Sequence, residues 1–311
     1  MRKIQPRVTP SLSPATIFCV AILVFSTLAS GCSRPVTAKY GSGKEIVLPK
    51  RPSRIVSLAP SNTEILFALG LGDLVKGVTT YCDYPPEATE KPDVGGFMDF
   101  SAEKIVSLNP DLILATSGQD QGLAPLIAMG IPVAILDAAT MDEIGDCIRV
   151  VGDLTGKKRE AQKLIAEIER EVETIASKVE AVPDSERPKV MYVAWDDPIL
   201  TVGPGTLIDH MISLAGGRNI AGATGEPYPT YSMEAVLVED PDVLLLPRVH
   251  GGLDLSALRA RTAWKDLTAV REGRVYLLDD NLVSRPGPRA VQGLREIAAA
   301  LYPELFEVKA P

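Results

Sequence analysis

Two glutamates occupy matching places in a phrase that this sequence contains twice. The first copy spans residues 101–114 and includes Glu103, and the second spans residues 232–245 and includes Glu234. Each copy reads as a serine N-cap, an acid in the first turn of a short helix, a Pro-Asp turn and a buried strand. The copies lie 131 residues apart (101 to 232) and stay in register, so they predict two lobes of similar construction.

Aromatic side chains form a second chemically informative group. They make up only 5% of the chain, yet many of them fall on loops that follow predicted strands. Ligands of open α/β sheets bind beyond the carboxyl ends of the strands, and Tyr and Trp suit a large, flat, amphipathic ligand. The alternative for each residue is that it caps the edge of a sheet. The residues expected to line a ligand cleft are Tyr81, Tyr84, Phe97, Trp195, Tyr228 and Tyr231.

Arg285 is the strongest candidate for a charged contact with such a ligand. It lies in the stiff segment 284–288 after the last predicted strand, where its guanidinium can meet a phosphate, a carboxylate or an amide. An ordinary surface arginine is the alternative. Asp196 and Asp197, directly after another predicted strand, are further candidates that can reach the cleft.

The sequence contains no convincing catalytic or metal-binding motif. Its two histidines, His210 and His250, lie apart from each other and from any cysteine cluster, and His210 falls in a predicted helix. There is neither a Gly-x-Ser-x-Gly elbow nor a Walker-type phosphate loop. We therefore predict a protein that is not an enzyme and needs no cofactor. A cleft enzyme in which His250 acts with Asp254 is the alternative.

The N-terminal residues are typical of an export signal. A basic start precedes the apolar run 17–28, which is too short for a comfortable membrane span, and residues 28–32 resemble a bacterial lipobox that ends at Cys32. We expect cleavage after residue 31 and a lipid on Cys32, with ordinary secretion as the alternative. Loss of three positive charges lowers the formal net charge from −8 to −11, which argues against a nucleic-acid partner. Cys82 and Cys147 remain, either as a disulfide or as two buried thiols.

The predicted elements divide the exported chain into four parts. Residues 32–53 form a leader, residues 54–154 an α/β lobe, residues 155–182 a linking helix and residues 183–311 a second α/β lobe. The linking segment carries apolar residues at steps of three and four, which is typical of one amphipathic helix. The fold class is therefore α/β, with two parallel-rich lobes joined by a single long helix and a ligand cleft between them.

From Arg54 to Leu301 the sequence resembles a known family. The family comprises the ABC-importer substrate-binding proteins with a helical backbone (class III), which carry vitamin B12, ferric siderophores or haem. Residues 54–64, Arg-Ile-Val-Ser-Leu-Ala-Pro-Ser-Asn-Thr-Glu, are similar to the opening strand, turn and helix of the family. The segments Tyr-Cys-Asp-Tyr-Pro-Pro (81–86) and Pro-Tyr-Pro (227–229) are most similar to its cobalamin-binding branch.

The resemblance implies a role for several of these residues. Glu103 and Glu234 match the glutamates that dock on arginines of the membrane permease. Phe97, Tyr228 and Arg285 fall where the cobalamin branch contacts its corrinoid, and Tyr84 and Trp195 lie nearby. Phe97 and Tyr228 stand where tryptophans are usual, and Thr116 replaces another bulky aromatic residue.

The implied function is capture and delivery without a reaction. The resemblance implies a monomeric, lipid-anchored protein on the periplasmic or extracytoplasmic face, which takes up cobalamin or a related corrinoid and hands it to a permease dimer. A ferric siderophore or haem is the alternative ligand. A chelatase-like enzyme and a ligand sensor are more distant alternatives.

Overall fold

The computed structural model describes residues 35–40, 44–248 and 263–306. The export segment, Cys32, His250 and Asp254 lie outside these residues, so the expectations for them stay predictions.

The N-terminal lobe is built on a four-stranded parallel sheet, preceded by an antiparallel hairpin of β1 (Val36–Tyr40) and β2 (Lys44–Leu48). The spatial order of the sheet is β4-β3-β5-β6. Its strands are β3 (Ile55–Ser57), β4 (Val75–Val78), β5 (Leu112–Ala115) and β6 (Val133–Ile135). Its helices are α1 (Pro60–Ala68), α2 (Ala102–Ser107), α3 (Asp120–Ala128) and α4 (Met141–Thr155).

A single long helix, α5 (Lys158–Glu180), leads from this lobe to the next. Gly156, in the left-handed conformation at φ 78°, ends α4 and lets the chain turn into α5. The 23 residues of α5 span about 34 Å. Its buried stripe joins one continuous hydrophobic core that includes residues of both lobes, and the stripe consists of Ala161, Ile165, Ile168, Ile175 and Val179.

The C-terminal lobe repeats this plan with a second four-stranded parallel sheet, in the spatial order β10-β7-β12-β13. Its strands are β7 (Lys189–Tyr192), β10 (Arg218–Asn219), β12 (Val243–Pro247) and β13 (Val275–Leu278). A small antiparallel sheet consists of β8 (Trp195–Asp196), β9 (Ile199–Leu200) and β11 (Thr230–Tyr231). The helices are α6 (Leu207–Leu214), α7 (Met233–Glu239), α8 (Thr268–Arg271), α9 (Asp280–Val283) and α10 (Ala290–Leu301).

The central strands are buried on both faces, as parallel sheets require. In β12, Leu245 points into the core shared with α5, whereas Leu244 and Leu246 point into a second core on the other face. In β5, Leu114 likewise points into the shared core, and Ile113 points into a third core on the other face. The predicted α/β fold with two parallel-rich lobes is confirmed.

The repeated phrase builds the same local structure in each lobe. The hydroxyls of Ser101 and Ser232 accept hydrogen bonds from backbone N–H groups in the first turns of α2 and α7. The carboxylate of Asp111 accepts from the backbone N–H of Arg54 at 2.8 Å, and that of Asp242 accepts from the backbone N–H of Lys189 at 2.7 Å. Each Pro-Asp turn therefore ties its helix-strand unit to the first strand of its own lobe.

The two remaining cysteines are both free and buried. Cys82 contacts the hydroxyl of Thr79 at 3.2 Å, and the thiol of Cys147 donates to the backbone carbonyl of Asp137. The structure therefore shows the two separate thiols and not the disulfide.

Candidate ligand-binding cleft

A cavity of about 1290 Å³ lies between the two lobes and is lined by residues of both. Thr116 on its wall follows the last residue of β5, so the cavity begins where a central strand of the N-terminal sheet ends. Tyr228 and Arg285 contribute from the C-terminal lobe. This is the position expected for a ligand site in an open α/β sheet.

A second depression, of about 1170 Å³, lies beside the β1–β2 hairpin and the start of α5. It belongs to one lobe, and its wall is rich in charged side chains such as Lys50, Arg51 and Lys158. None of the described residues on its wall is aromatic, so they offer no surface on which a flat ligand can stack. The cleft between the lobes is the better candidate.

Three of the six predicted aromatic residues line the cleft, and three do not. Tyr81 and Phe97 come from the N-terminal lobe and Tyr228 from the C-terminal lobe. Tyr81 and Tyr228 keep 59% and 63% of their surface exposed, so large aromatic faces are open to a ligand.

The other three aromatic residues contact protein groups. The ring of Tyr84 stacks under the guanidinium of Arg289, 3.7 Å from the ring centroid. Trp195 is exposed on β8, and its indole N–H donates to the backbone carbonyl of Asp197. Tyr231 packs against the C-terminal core and donates its hydroxyl to the backbone carbonyl of Ile220.

Arg285 lines the cleft as expected, but its charge is already paired. Its Nη1 donates to Asp83 Oδ1 at 2.5 Å and lies 3.9 Å from Glu64 Oε1. Burial by itself raises the pKa of the Asp83 carboxyl, yet the hydrogen bond and the charge of Arg285 outweigh burial and hold that pKa below its usual value. The cation is therefore shared with an acid of the opposite lobe.

A second ion pair crosses between the lobes next to the first. Arg289, at the N-cap of α10, donates from Nη2 to Glu64 Oε1 at 2.6 Å and from Nε to Glu64 Oε2 at 3.1 Å. Only 2% of the Glu64 side chain is exposed. No local pattern in the sequence predicts this pair, because the residues lie 225 positions apart.

Four carboxylates that the sequence reasoning missed also line the cleft. Two of them were detectable, since each lies two residues after the end of a parallel strand. The other two follow no strand and had no comparable signal. The four are Asp99, Asp137, Glu143 and Asp280.

Glu103 and Glu234 are exposed in the first turns of α2 and α7. The backbone N–H of Glu234 and then the hydroxyl of Ser232 hold the pKa of the Glu234 carboxyl below its usual value, so this acid stays ionised. Three positions after each glutamate lies an apolar residue, Val106 or Leu237, and each of these is 39% exposed. The two lobes thus present the same pairing of an acid and an aliphatic side chain.

Among the residues that the structure describes, no group of three His, Cys, Asp or Glu side chains could hold a metal ion. Within the same residues, no helix combines the length and the apolar character needed to cross a membrane.

The comparisons with known proteins agree with this architecture. A family model described as periplasmic binding protein matches residues 55–282. The ABC transporter substrate-binding lipoprotein YvrC of Bacillus subtilis (strain 168) is 32% identical over 92% of this chain and 97% of its own length. A cobalamin-binding protein of Halobacterium salinarum is 32% identical over 93% of this chain and 84% of its own. The structure of the periplasmic haem-binding protein RhuT from Roseiflexus sp. RS-1 matches with a TM-score of 0.72 and 34% identity, over 81% of this chain and 99% of that one.

Proposed function

The chain belongs to the periplasmic binding protein family, and we propose that it captures a corrinoid outside the cytoplasm and delivers it to the permease of an ABC importer. Membership in the family makes it a substrate-binding protein of an ABC transporter. The identity of the ligand, the docking residues and the lipid anchor are the proposed parts.

The cleft is the observation that carries this proposal. Its volume of about 1290 Å³ exceeds the roughly 300–1,000 Å³ typical of pockets for drug-sized ligands, so it suits a larger molecule. Tyr81 and Phe97 on one lobe and Tyr228 on the other offer aromatic faces to both sides of a flat macrocycle. A corrin ring with its amide side chains has this size and this mixture of apolar and polar surface.

Haem is the second candidate ligand. A haem-binding protein is among the similar structures, and Tyr81 places a phenol in the cleft where it can ligate a haem iron. The similarity to a cobalamin-binding protein over 93% of this chain favours the corrinoid.

Glu103 and Glu234 are the proposed docking residues for the permease. Each lies exposed in the first turn of an equivalent helix, with an apolar neighbour at Val106 or Leu237. A pair of like surfaces, one on each lobe, suits a partner made of two copies of one subunit. No reaction is needed, because binding in the cleft and release at the permease complete the cycle.

The proposed membrane anchor is a lipid on Cys32. It rests on the lipobox-like residues 28–32 and on the similarity to a protein named as a lipoprotein. Only a few residues of sequence then lie between the lipid and the β1–β2 hairpin, whose Ala38, Ile46 and Leu48 are buried in the shared core.

A thermal-shift panel with cyanocobalamin, haem and a ferric siderophore tests the ligand assignment. A ligand present at 100 times its dissociation constant stabilises the fold by about 2.7 kcal/mol, which corresponds to roughly 4–6 °C for a protein of this size. We expect that shift with cyanocobalamin and none of comparable size with the other two. A shift with haem or the siderophore and none with cyanocobalamin overturns the corrinoid assignment.

A further inference from the structure

The side chains that line the cleft carry an excess of negative charge. Arg285 is the one cation among the lining residues in the described part of the chain, against four carboxylates. Asp99, Asp137 and Glu143 come from the N-terminal lobe, and Asp280 comes from the C-terminal lobe.

Arg285 does not balance this excess, because its charge is already engaged by Asp83 at 2.5 Å. Glu64, the other acid near Arg285, is paired with Arg289 at 2.6 Å. The opposite charges within each ion pair cancel, so neither pair offsets the charge of the four lining carboxylates. Within the described residues, no lysine or arginine nitrogen lies within 4.0 Å of the four lining carboxylates.

Three of the four carboxylates are held in place by donors that are not cations. Asp137 accepts from the backbone N–H and the hydroxyl of Ser117, and Glu143 accepts from the backbone N–H of Ala139 at 2.7 Å. Asp280 accepts from the hydroxyl of Ser284. An ionised carboxylate offers about four acceptor sites, so each keeps capacity for a donor on a ligand.

Two groups beside the cleft bear on the charge and polarity of its wall. The thiol of Cys147 is buried, and burial together with the charges of Asp137, Asp146 and Glu143 raises its pKa to about 12. The hydroxyl oxygen of Thr116, also on the wall, is buried without a hydrogen-bond partner among the described residues. Burial is the larger cause of the raised Cys147 pKa, and the nearby carboxylates add to it.

We propose that the cleft selects its ligand by charge, accepting a neutral or cationic corrinoid whose amide N–H groups donate to these carboxylates and rejecting analogues that carry anions in the same places. This inference rests on the proposed corrinoid function and names the chemistry that decides between ligands. A primary amide donates to a carboxylate, whereas a ligand carboxylate or catecholate at the same point faces a like charge.

The matched probes are cyanocobalamin and its monocarboxylic acids, in which one propionamide side chain is hydrolysed. Affinities are measured by calorimetry with the purified protein at about 10 mM and 500 mM salt. At low salt we expect at least one acid isomer to bind about tenfold more weakly than the parent, and none to bind more tightly. High salt screens the repulsion and reduces the gap to about threefold or less.

The double variant Glu143→Gln/Asp280→Asn removes two charges and keeps the shape of both side chains. We expect the variant to reduce, by at least threefold, the low-salt ratio between the dissociation constants of the acid isomer and of cyanocobalamin. Glu160→Gln, an exposed residue at the start of α5 and away from the cleft, is the control and leaves the gap unchanged.

The outcomes separate the two proposals. If every acid isomer binds within twofold of cyanocobalamin, or if the gap is the same in the double variant, charge selection is overturned while the corrinoid function stands. If neither cyanocobalamin nor any acid isomer binds, both are overturned.

Discussion

Arg285 is a largely buried cation at the point where the two lobes meet beside the cleft. The sequence predicts a cation at the cleft that is open to an anionic group of the ligand, and Arg285 does line the cleft. Its guanidinium, however, pairs with Asp83, an acid of the other lobe. Only 15% of the Arg285 side chain is exposed, against 52% of the Asp83 side chain, so the acid is the partner that faces solvent. At the residue scale, Arg285 therefore joins the lobes at the edge of the ligand site.

The Asp83–Arg285 pair should stabilise the fold with a defined pH dependence. The folded-state pKa of Asp83 is depressed below its ordinary 3.8, so the pair contributes above that value and its contribution is lost as the pH falls through the depressed pKa. Because Asp83 is half exposed, the effect at neutral pH is at most about 1 kcal/mol.

Thermal melts of the protein and of Asp83→Asn between pH 7 and pH 3 check this. We expect a constant difference in melting temperature from pH 7 to about pH 5 and a shrinking difference below about pH 4. A difference that disappears already between pH 7 and pH 5 contradicts the assignment.

The aromatic residues show which parts of the site can be predicted from the sequence. Tyr81 and Tyr228 were identifiable because each lies in a loop beyond a strand, where parallel sheets place their ligands. Trp195 and Tyr231 meet the same criterion but donate to the backbone within their own lobe. No periodicity distinguishes a ring that faces a cleft from one that packs on a core, because that difference depends on contacts that only the folded chain creates.

At the scale of elements, α1 and α10 are connected through one buried ion pair. Glu64 on α1 is almost completely buried, and Arg289 at the N-cap of α10 supplies two hydrogen bonds to it and stacks on Tyr84. The pair fixes the first helix of one lobe against the last helix of the other. It lies next to Ser61 and Arg285, which both line the cleft, so the geometry of the cleft depends on it.

Breaking this pair should be costly. Arg289→Met leaves the buried Glu64 without its two hydrogen bonds and with only Arg285, 3.9 Å away, as a counter-charge, and we expect it to reduce the free energy of unfolding by about 3 kcal/mol. Lys157→Met removes an exposed partner of Glu160 and serves as the matched control, with an expected loss below about 1 kcal/mol. Urea denaturation measures both.

Two further results bear on that prediction. Adding Glu64→Gln to the Arg289→Met variant removes the stranded charge, so it should recover part of the lost stability. If Arg289→Met alone unfolds within about 1 kcal/mol of the unaltered protein, the ion pair does not hold the lobes in the way described here.

The elements were the most predictable level of this protein. The serine caps, the Pro-Asp turns and the period-three-and-four stripe of α5 are local patterns, and the structure contains each of them. Glu64 and Arg289 could not be matched in advance, since nothing local marks two residues 225 positions apart as partners. The four cleft carboxylates are intermediate in predictability. Asp137 and Asp280 could be predicted because each follows the end of a strand, whereas no local pattern predicts Asp99 or Glu143.

At the scale of the whole molecule, one core restrains the two lobes. Residues of both sheets and of α5 pack into the same hydrophobic cluster. Two ion pairs, Arg285–Asp83 and Arg289–Glu64, also join the lobes beside the cleft. Such a molecule favours small adjustments between lobes over wide opening. We therefore expect the two exposed glutamates to keep a nearly fixed separation, as the proposed docking on a permease requires.

Charge reversal at both glutamates tests the docking surface. We expect Glu103→Lys/Glu234→Lys to lower ligand uptake through the reconstituted permease by at least about tenfold, because like charges then oppose one another in the contact. Ligand affinity should stay within about twofold, since both residues lie on the outer helices α2 and α7. Reversal of the exposed Glu160 and Glu167 on α5 is the control for added positive charge. Normal uptake by the Glu103/Glu234 variant excludes docking through these residues.

A corrinoid held between aromatic walls is tested most directly by calorimetric titration of cyanocobalamin. The protein is compared with the triple variant Tyr81→Ala/Phe97→Ala/Tyr228→Ala and with Trp195→Ala, whose ring lies outside the cavity. We predict one ligand per chain, an affinity about hundredfold weaker in the triple variant if each ring contributes about 1 kcal/mol, and no change for Trp195→Ala. Undiminished binding by the triple variant, or no binding by the unaltered protein, contradicts a corrinoid site in this cleft.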